Sequence, residues 1–377
     1  MSFLGFWRKG MLSLAAAVVF YFACHAQDPS KKADAGGGDA VQPAKNDIPA
    51  LVAEFSATAT ADDRRRKIAD ELLGKGAEGA LALEKAAQSL IKKRTAAYLP
   101  EYDKALKALC GKSLKSYSMV QSEVKSLQLK MKNLRAEKNL TKEMVVEQGD
   151  PAMEKLAKLL YVSPAEVLSS NKDLSDARSG ITGLSTILSR CQDMTAKPPA
   201  KKGDDVPDTR SPTLDEELAR LELLASVKIM ANRMALKKDF SVLDSNEKIT
   251  PKIDSYEAIG ILDLNRMRIF VGSPVLSIDT KLCDAGRGHS NDMRTKNFFE
   301  HESPVPGKKT PWDRAKKAGT TANGENIAYG QQTPEEVNMS WFHSPGHHKN
   351  MLNPEFGVMG LGRSYTHWTQ MFRDAGK

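Results

Sequence analysis

Histidine is distributed very unevenly along the 377 residues of this chain, and this asymmetry constrains its organisation more than any other feature. Six of the seven histidines lie between residues 289 and 367, with two of the four tryptophans beside them. Imidazole changes charge near neutral pH and is a common metal ligand, so a cluster of histidines indicates where site chemistry should be sought. The chain between about residues 48 and 192 is instead rich in Ala, Leu and Lys. We therefore expect a helical scaffold upstream and any functional site in the last quarter.

The first residues predict export. Trp7-Arg8-Lys9 precedes an apolar run from Met11 to Ala23, which has the length of a signal-peptide core and is too short to span a bilayer comfortably. Residues 1–26 are therefore interpreted as a signal peptide or a membrane anchor. Simple cleavage, lipidation at Cys24 and a retained anchor all stay open, and contact with a membrane is expected only in the last two cases. The predicted location is extracellular, periplasmic or in the cell envelope.

The remainder of the chain divides into segments by composition. Gly and Lys before residue 47 are typical of a flexible spacer, and the Pro-rich, charged run from Thr195 is typical of a linker. Between them, apolar residues recur at helical spacing. The predicted segments are a spacer at 27–47, a helical region at 48–194, a linker at 195–212, a helical connector at 213–250 and a C-terminal domain at 255–377.

Two kinds of local signal support the helical assignment. Ser163, Thr213 and Thr333 are each followed three residues later by Glu, a pattern that predicts a capping box at a helix N-terminus. From Tyr117 to Leu134, apolar residues recur at alternating steps of three and four, which predicts a seam that packs on another helix. The seam is short, so we expect its partner to be a helix of the same domain.

Charge and cysteine content argue against several classes of protein. The net charge is +8, and residues 255–377 hold 15 Lys/Arg against 13 Asp/Glu, so most of the excess lies upstream. A basic helical face is usually a solvated one, so nucleic-acid binding is not expected, whereas a protein partner for the helices stays open. After signal cleavage Cys110, Cys191 and Cys283 remain, too few and too widely spaced for a disulfide framework or a zinc ribbon. They are predicted to be buried thiols.

Six short motifs follow one another in the C-terminal domain. Two helices are predicted there, over about 258–270 and 280–296, and strand-like runs close the domain at 358–362 and 366–372. The motifs are, in order, Asn265-x-x-Arg268, His289-Ser290-Asn291-Asp292, Phe298-Phe299-Glu300-His301, Gly324-Glu325-Asn326-Ile327, Trp341-x-x-Ser344-Pro345-Gly346-His347 and His367-Trp368-Thr369-Gln370.

In this order and spacing the motifs resemble the CAP superfamily (cysteine-rich secretory proteins, antigen five, pathogenesis-related one), also called SCP domains, in its bacterial version. The resemblance covers about 120 residues at the C-terminus and rests on all six motifs together. It implies a three-layer α/β/α sandwich with a central antiparallel sheet. With the mostly α-helical region that precedes it, the chain is expected to be α+β. Members of the family are usually secreted or lie in the cell envelope.

The resemblance also implies a surface cleft of two histidines and two glutamates, which in some members holds a divalent metal. His301 matches the first histidine, Glu325 the first glutamate and His367 the second histidine. The position of the second glutamate holds Ser344 here, and His347 is the nearest residue that could fill the gap. The predicted ligand-binding cleft therefore consists of His301, Glu325, His367 and His347.

Other motif residues are predicted to hold the fold. The run from Gly324 to Gly330 is interpreted as a loop that presents Glu325, with the amide of Asn326 pinning it. Trp341 and Trp368 are expected in the core or the cleft wall, because each buries a large apolar area. The predicted structural residues are Asn265, Arg268, His289, Asn326, Trp341, Ser344 and Trp368.

The chemistry of the predicted cleft leaves alternatives open. His301, His367 and Glu325 would suffice to hold a divalent metal such as Zn²⁺ with one coordination position open. Glu325 is then the candidate catalytic residue, as ligand or as the base for a bound water. The alternative is that the same residues form a hydrogen-bonded His–Glu network that binds no metal and catalyses no reaction. No Ser or Cys lies in the sequence context of an activated nucleophile.

We therefore expect an exported cell-envelope protein whose CAP-like domain is a binding module rather than an enzyme. The family resemblance permits a lipid, peptide or glycan ligand and does not choose among them. A metal-dependent hydrolase that uses the same cleft is the first alternative. A structural envelope protein assembled through its helical region is the second.

Overall fold

The computed structural model describes residues 47–195 and 213–376. The predicted signal peptide or anchor, and nearly all of the predicted spacer and linker, lie outside these residues. Within the two described ranges, no helix combines the length and apolar character that crossing a bilayer requires. The predicted thiols Cys110, Cys191 and Cys283 are free and buried, as expected.

The described residues form two spatially compact units. The first contains residues up to 92 and 186–195, and the second contains 93–185 and 213–376. The second unit therefore combines much of the predicted helical region with the whole predicted C-terminal domain. The domain boundaries inferred from composition stay a prediction.

The first unit is helical and closes on a small apolar core. Its helices are α1 (Ile48–Ser56), α2 (Asp62–Leu73) and the first part of α3 (Gly76–Ser113). Phe55 and Ile68 are fully buried. Arg65 is also buried, and it donates hydrogen bonds to the carbonyls of Phe55 (2.9 Å) and Ala57 (2.6 Å), which ties the end of α1 to α2.

In the second unit, helices carry the chain from the end of α3 to the C-terminal sheet. The predicted capping boxes at Ser163 and Thr213 are confirmed, because each side chain accepts from the backbone N–H three residues on and the Glu returns the bond. The elements are α4 (Tyr117–Ala136), α5 (Lys142–Met144), a π-helical turn (Val145–Gly149), α6 (Asp150–Leu160), α7 (Pro164–Ser170), α8 (Lys172–Thr195), α9 (Leu214–Arg233), α10 (Lys237–Glu247) and a 3₁₀ turn (Thr250–Lys252).

Helix α4 packs within its own compact unit, as the seam predicted. Val120, Val124, Met131 and Leu134 are its buried residues, and they face α6 and the π-helical turn. The polar side chains of α4 also bind the C-terminal domain directly. Arg135 Nη1 donates to the carbonyl of Leu352 at 2.7 Å. The upstream helices are therefore part of the structure that supports the C-terminal domain.

The C-terminal domain alternates helices with a four-stranded sheet of order β1-β3-β4-β2. β2, β4 and β3 pair antiparallel, as expected, whereas the two-residue β1 pairs parallel with β3. The elements are α11 (Ser255–Phe270), β1 (Ser277–Ile278), α12 (Thr280–Lys296), α13 (Pro311–Lys317), β2 (Gly324–Tyr329), α14 (Pro334–Phe342), α15 (Pro345–Met351), β3 (Phe356–Ser364) and β4 (His367–Asp374).

Helices cover both faces of this sheet, which gives the expected three layers. Side chains of a strand alternate between faces. A Cβ added to Gly362 of β3 would lie 1.9 Å from the backbone nitrogen of Arg287 in α12, so glycine permits the close approach of that helix. On the other face, Leu361 of β3 lies against Gly260 of α11. The three-layer sandwich with a helical N-terminal region, predicted as α+β, is confirmed.

The run from Gly324 to Gly330 is a strand and not the loop that the sequence predicted. β2 lies at the edge of the sheet and pairs only with β4, with Gly324 opposite Phe372 and Tyr329 opposite His367. Its Gly, Glu and Asn residues favour turns. The long-range ladder to β4 overrides that local preference because it satisfies the backbone hydrogen bonds of the strand.

Candidate functional site

Glu325 is presented from β2 as a buried carboxylate with both oxygens occupied. Only 2% of its side chain is exposed. Oε1 lies 2.9 Å from His301 Nδ1, and Oε2 accepts a hydrogen bond from the guanidinium of Arg314. Burying a carboxylate is costly unless a cation and hydrogen bonds compensate it. Glu325 therefore persists in the interior because Arg314 and His301 satisfy it.

Arg314 is the residue at this site that the sequence analysis missed. It lies in α13, whose N-terminus is fixed by a capping box between Thr310 and Asp313. Only 3% of Arg314 is exposed, and Nη2 also donates to the carbonyl of His301 at 3.0 Å. The capping box in the sequence indicates that a helix begins at this point. Only the tertiary structure shows that Arg314 of this helix contacts Glu325.

His301 is the member of this group that reaches solvent. Half of its side chain is exposed, at 51%, in contrast with the buried Glu325 beside it. A neutral imidazole that donates from Nδ1 to a carboxylate carries an acceptor lone pair at Nε2. The buried pair of Glu325 and Arg314 thus orients an exposed imidazole.

His289 lies behind this group on α12 and is fully buried. Its Nε2 lies 3.1 Å from the carbonyl oxygen of Glu300 and donates to it, and its ring lies 5.8 Å from that of Phe298. Burial, reinforced by the positive charge of Arg314, lowers the pKa of His289 to about 4. It is therefore a neutral, packed residue at physiological pH.

His301 contacts Glu325 directly, whereas His367 lies further along the β2–β4 ladder. Burial lowers the pKa of His347, and the electrostatic effect of His301 lowers it further. His367 pairs with Tyr329, whereas Glu325 pairs with Met371. These positions are four residues apart along β2, or about 13 Å at the usual rise of a strand. Of the predicted cleft residues, His301 and Glu325 are in contact, and a cleft shared with His347 and His367 stays a prediction.

The donor set does not fit the zinc site that the sequence suggested with His301, Glu325 and His367. A catalytic zinc needs three protein ligands at one point. Throughout the two described ranges, no group of three or more His, Cys, Asp or Glu side chains converges in that way. Arg314 already holds one oxygen of Glu325, and its charge would repel a second cation. A resident metal is therefore not part of the function that we propose below.

The position of the missing second glutamate, Ser344, is the N-cap of α15, and its side chain makes no capping hydrogen bond there. Asn326 points to the opposite side of β2 from Glu325, as alternation requires. Its amide donates to Gln370 Oε1 at 2.9 Å and accepts from Asn350 at 3.0 Å. Asn326 thus ties β2 to β4 and to α15.

The remaining motif residues bind the backbone. Trp341 donates from its indole to the carbonyl of Ile327 at 3.0 Å, and Trp368 to that of Gln331 at 2.9 Å. Asn265 exchanges two hydrogen bonds with the backbone of Leu276. Arg268 donates to the carbonyls of Pro274, Met351 and Phe356. These side chains therefore stabilise the fold by hydrogen bonds to the backbone of other segments.

A row of aromatic rings lies on the surface beside His301, and we call Phe299, Tyr329 and His367 the aromatic row. The ring centroids of Phe299 and Tyr329 are 6.3 Å apart, and those of Tyr329 and His367 are 4.4 Å apart. Phe299 is 46% exposed and Tyr329 is 59% exposed. Adjacent exposed rings of this kind indicate a binding surface. The sequence placed each ring near a motif, but only the register of β2 and β4 reveals that they adjoin.

Two solved structures are similar to part of the chain. An extracellular SCP-domain protein from Bacillus anthracis is 30% identical over 31% of this chain and 41% of its own, with a TM-score of 0.29. An outer surface protein from Borrelia burgdorferi is 20% identical over 32% of this chain and 96% of its own, also with a TM-score of 0.29.

Two curated relatives from Bacillus subtilis match part of the chain. The uncharacterized protein YkwD is 43% identical over 124 residues, which are 32% of this chain and 48% of the relative. The uncharacterized membrane protein YlbC is 30% identical over 154 residues, 38% of this chain and 44% of the relative. The chain thus spans about half the length of the curated relatives that it matches.

A family profile agrees with these relatives. Residues 263–372 match the CAP family, described as the cysteine-rich secretory protein family. The match contains all six motifs from Asn265 to Gln370, together with the layers and strand order described above. The chain therefore carries a CAP domain at residues 263–372, with bacterial SCP-domain relatives.

Proposed function

We propose that the CAP domain is a non-enzymatic binding module of an exported cell-envelope protein. The observation that supports this best is the aromatic row beside the half-exposed imidazole of His301. Exposed aromatic faces next to an oriented hydrogen-bonding group suit recognition of an extended ligand. Export is supported by the apolar run from Met11 to Ala23.

Hydrolysis at the same cleft is less well supported. A general base must reach the proton that it abstracts, directly or through one water. The side chain of Glu325 is buried, and each of its oxygens already binds His301 or Arg314, so it is poorly placed to take a proton from a reacting water. The candidate catalytic role of Glu325 is thus replaced here by a positioning role, in which the carboxylate orients His301.

The ligand class that suits the aromatic row is one with flat or apolar faces repeated along its length. A glycan, an extended peptide and a lipid all meet that description to different degrees. Phe299 and Tyr329 of the row are exposed rather than enclosed, which favours a glycan or peptide over a lipid tail. The helical region packs its apolar seam inside its own unit, so an assembly role for these helices has less support.

The experiment is a binding panel on the full chain, followed by NMR or calorimetry. Its probes are a chitin tetrasaccharide, a short extended peptide and phosphatidylglycerol vesicles. Tyr329→Ala should weaken the probe that binds by about tenfold, because one stacking face is worth on the order of 1–3 kcal/mol. Met119→Ala is the matched control, since Met119 is 72% exposed on α4 and lies outside the row.

Two outcomes would contradict the proposal. One is binding that is equally insensitive to Tyr329→Ala and Met119→Ala. The other is hydrolysis of a probe that disappears in Glu325→Gln while the fold is retained. The second result would instead favour the hydrolase.

A further inference from the structure

A cavity lies where α4 packs against the CAP domain. It has a volume of about 290 Å³, at the lower end of the range for small-molecule sites. We call it the α4 pocket. One wall is α4, the second is the turn Val271–Ser273 that follows α11, and the third is the turn at Leu352–Pro354.

The walls of the α4 pocket are fixed by hydrogen bonds. Gln128 donates to the carbonyl of Phe270 at 3.2 Å, and Ser273 Oγ donates to that of Leu352 at 3.0 Å. Gly272 has φ +75, and a Cβ there would lie 3.1 Å from Gln128. The close approach of α4 thus depends on glycine, and the cavity is built rather than left between loose segments.

The charges at the α4 pocket are all positive. Arg135 and Lys132 are its charged lining residues, and within the described part of the chain neither forms an ion pair. Arg135 uses Nη1 on the carbonyl of Leu352, which leaves the other donors of its fork for a ligand. The nearest acid, Glu355, is exposed and does not line the pocket.

A third cation lies next to this pair. Arg268 is fully buried and donates to the carbonyl of Met351, adjacent to the one that Arg135 holds. Burial and the charge of Arg135 lower the pKa of Arg268. Among the described residues, the acid that acts on Arg268 is Asp239, which accepts a bond from the backbone of Val275. Backbone carbonyls rather than a carboxylate hold Arg268, so its charge adds to that of Arg135 and Lys132 and the junction favours an anion.

Apart from Gln128 and Ser273, the rest of the lining is apolar. Leu129 is 57% exposed at the mouth, and Val271 and Leu352 lie further in. We propose that the α4 pocket binds a small amphiphilic carboxylate, whose charged group lies on Arg135 and Lys132 and whose apolar body lies against these walls. Guanidinium and carboxylate match in geometry and can form two parallel hydrogen bonds. This site is separate from the aromatic row and does not depend on it.

The test is calorimetric titration of the full chain with sodium octanoate at low ionic strength. Octanamide is the neutral ligand of the same length, and inorganic phosphate is the anion without an apolar body. Octanoate should bind at least about tenfold more tightly than either, because a charge-assisted hydrogen bond is worth about 1.5–3 kcal/mol. Higher salt should weaken it.

Variants locate the site. Arg135→Gln should weaken octanoate binding by about tenfold or more, and Lys132→Gln should weaken it by a smaller factor without loss of the contact to Leu352. Lys130→Gln, an exposed position on α4 outside the lining, is the matched control and should leave affinity unchanged. If Arg135→Gln unfolds the protein, the comparison of Lys132→Gln with Lys130→Gln alone decides whether octanoate binds in the α4 pocket.

The inference is overturned by any of four results. The first three are no binding of octanoate, equal binding of octanoate and octanamide, and affinities that do not differ between Lys132→Gln and Lys130→Gln. Phosphate that binds as tightly as octanoate would also overturn it, because the apolar walls would then contribute nothing.

Discussion

Several buried carboxylates of the second compact unit bind an arginine, and two of them, Glu222 and Glu325, differ in how a third partner is placed. In the helical part, Glu222 of α9 accepts from Arg178 at 2.8 Å and from Tyr98 at 2.6 Å. In the CAP domain, Glu325 is held by Arg314 and His301. Tyr98 is 3% exposed, whereas the side chain of His301 is 51% exposed.

This difference separates a polar centre that only holds helices together from one that can act at a surface. Both carboxylates have their charge compensated inside the protein. Of the two carboxylates, only Glu325 orients an exposed side chain, that of His301. Only Glu325 and its partners adjoin the aromatic row. The comparison can be tested by changing each member in turn.

The largest effect is expected at the arginines. Arg314→Met leaves Glu325 as a buried charge without its cation, and should lower the free energy of unfolding by about 3–5 kcal/mol. Arg178→Met should cost a similar amount at Glu222. Urea unfolding followed by tryptophan fluorescence checks the first, because Trp312, Trp341 and Trp368 all lie in the CAP domain.

A second change shows whether this cost comes from the stranded carboxylate. Adding Glu325→Gln to Arg314→Met should recover a large part of the loss. If Arg314→Met alone lowers the free energy of unfolding by less than about 1 kcal/mol, Glu325 is solvated. Its pair with Arg314 would then contribute no more than an exposed ion pair does.

The next effect is a difference in the sign of pH dependence. His289, behind Glu325, has its pKa lowered from 6.5 to about 4, so between these values the folded protein binds fewer protons there than the unfolded chain. The stability that His289 contributes is therefore lost as pH falls. Between pH 7 and 5 the wild type should lose about 2 kcal/mol more than His289→Gln.

Glu222 should behave in the opposite way. Burial raises its pKa above 4.5, so above that pH the folded protein binds more protons there than the unfolded chain. Its contribution to stability is lost as pH rises through the raised pKa. Denaturant unfolding of Glu222→Gln against the wild type over the same pH series measures this. Slopes of the same sign for His289→Gln and Glu222→Gln would refute the contrast.

The smallest effect on stability is expected at His301. His301→Ala removes a half-exposed partner and should change the free energy of unfolding by less than about 1 kcal/mol. Tyr98→Phe removes a buried donor to a carboxylate and should cost about 1.5–3 kcal/mol. Only His301→Ala should weaken the probe that binds at the aromatic row. If Tyr98→Phe weakens it equally, the effect is one of global stability.

Local signals in the sequence predicted much of the fold. The helix at Thr280–Lys296 and the capping box at Thr333 follow from residues within one turn of each helix end. Helix α11 begins earlier than predicted, at Ser255, because the side chain of Asp254 accepts from two backbone N–H groups. The family motifs also identified Glu325 and His301 as neighbours.

What could not be predicted depends on contacts between distant segments. β2 was interpreted as a loop because its strand character comes from pairing with β4. The separation of His367 from Glu325 follows from the register of that pairing, which no single motif contains. Arg314 lies in no motif, and its role requires α13 to pack beside β2.

The edge position of β2 has a consequence for association between copies. An uncovered edge strand offers unpaired carbonyls to a strand of another molecule. Here the outward carbonyls of Glu325 and Ile327 are already occupied, by the amide of Asn350 at 3.2 Å and the indole of Trp341 at 3.0 Å. Asn350 and the motif residue Trp341 therefore hinder the addition of a strand from another copy at these two positions of β2.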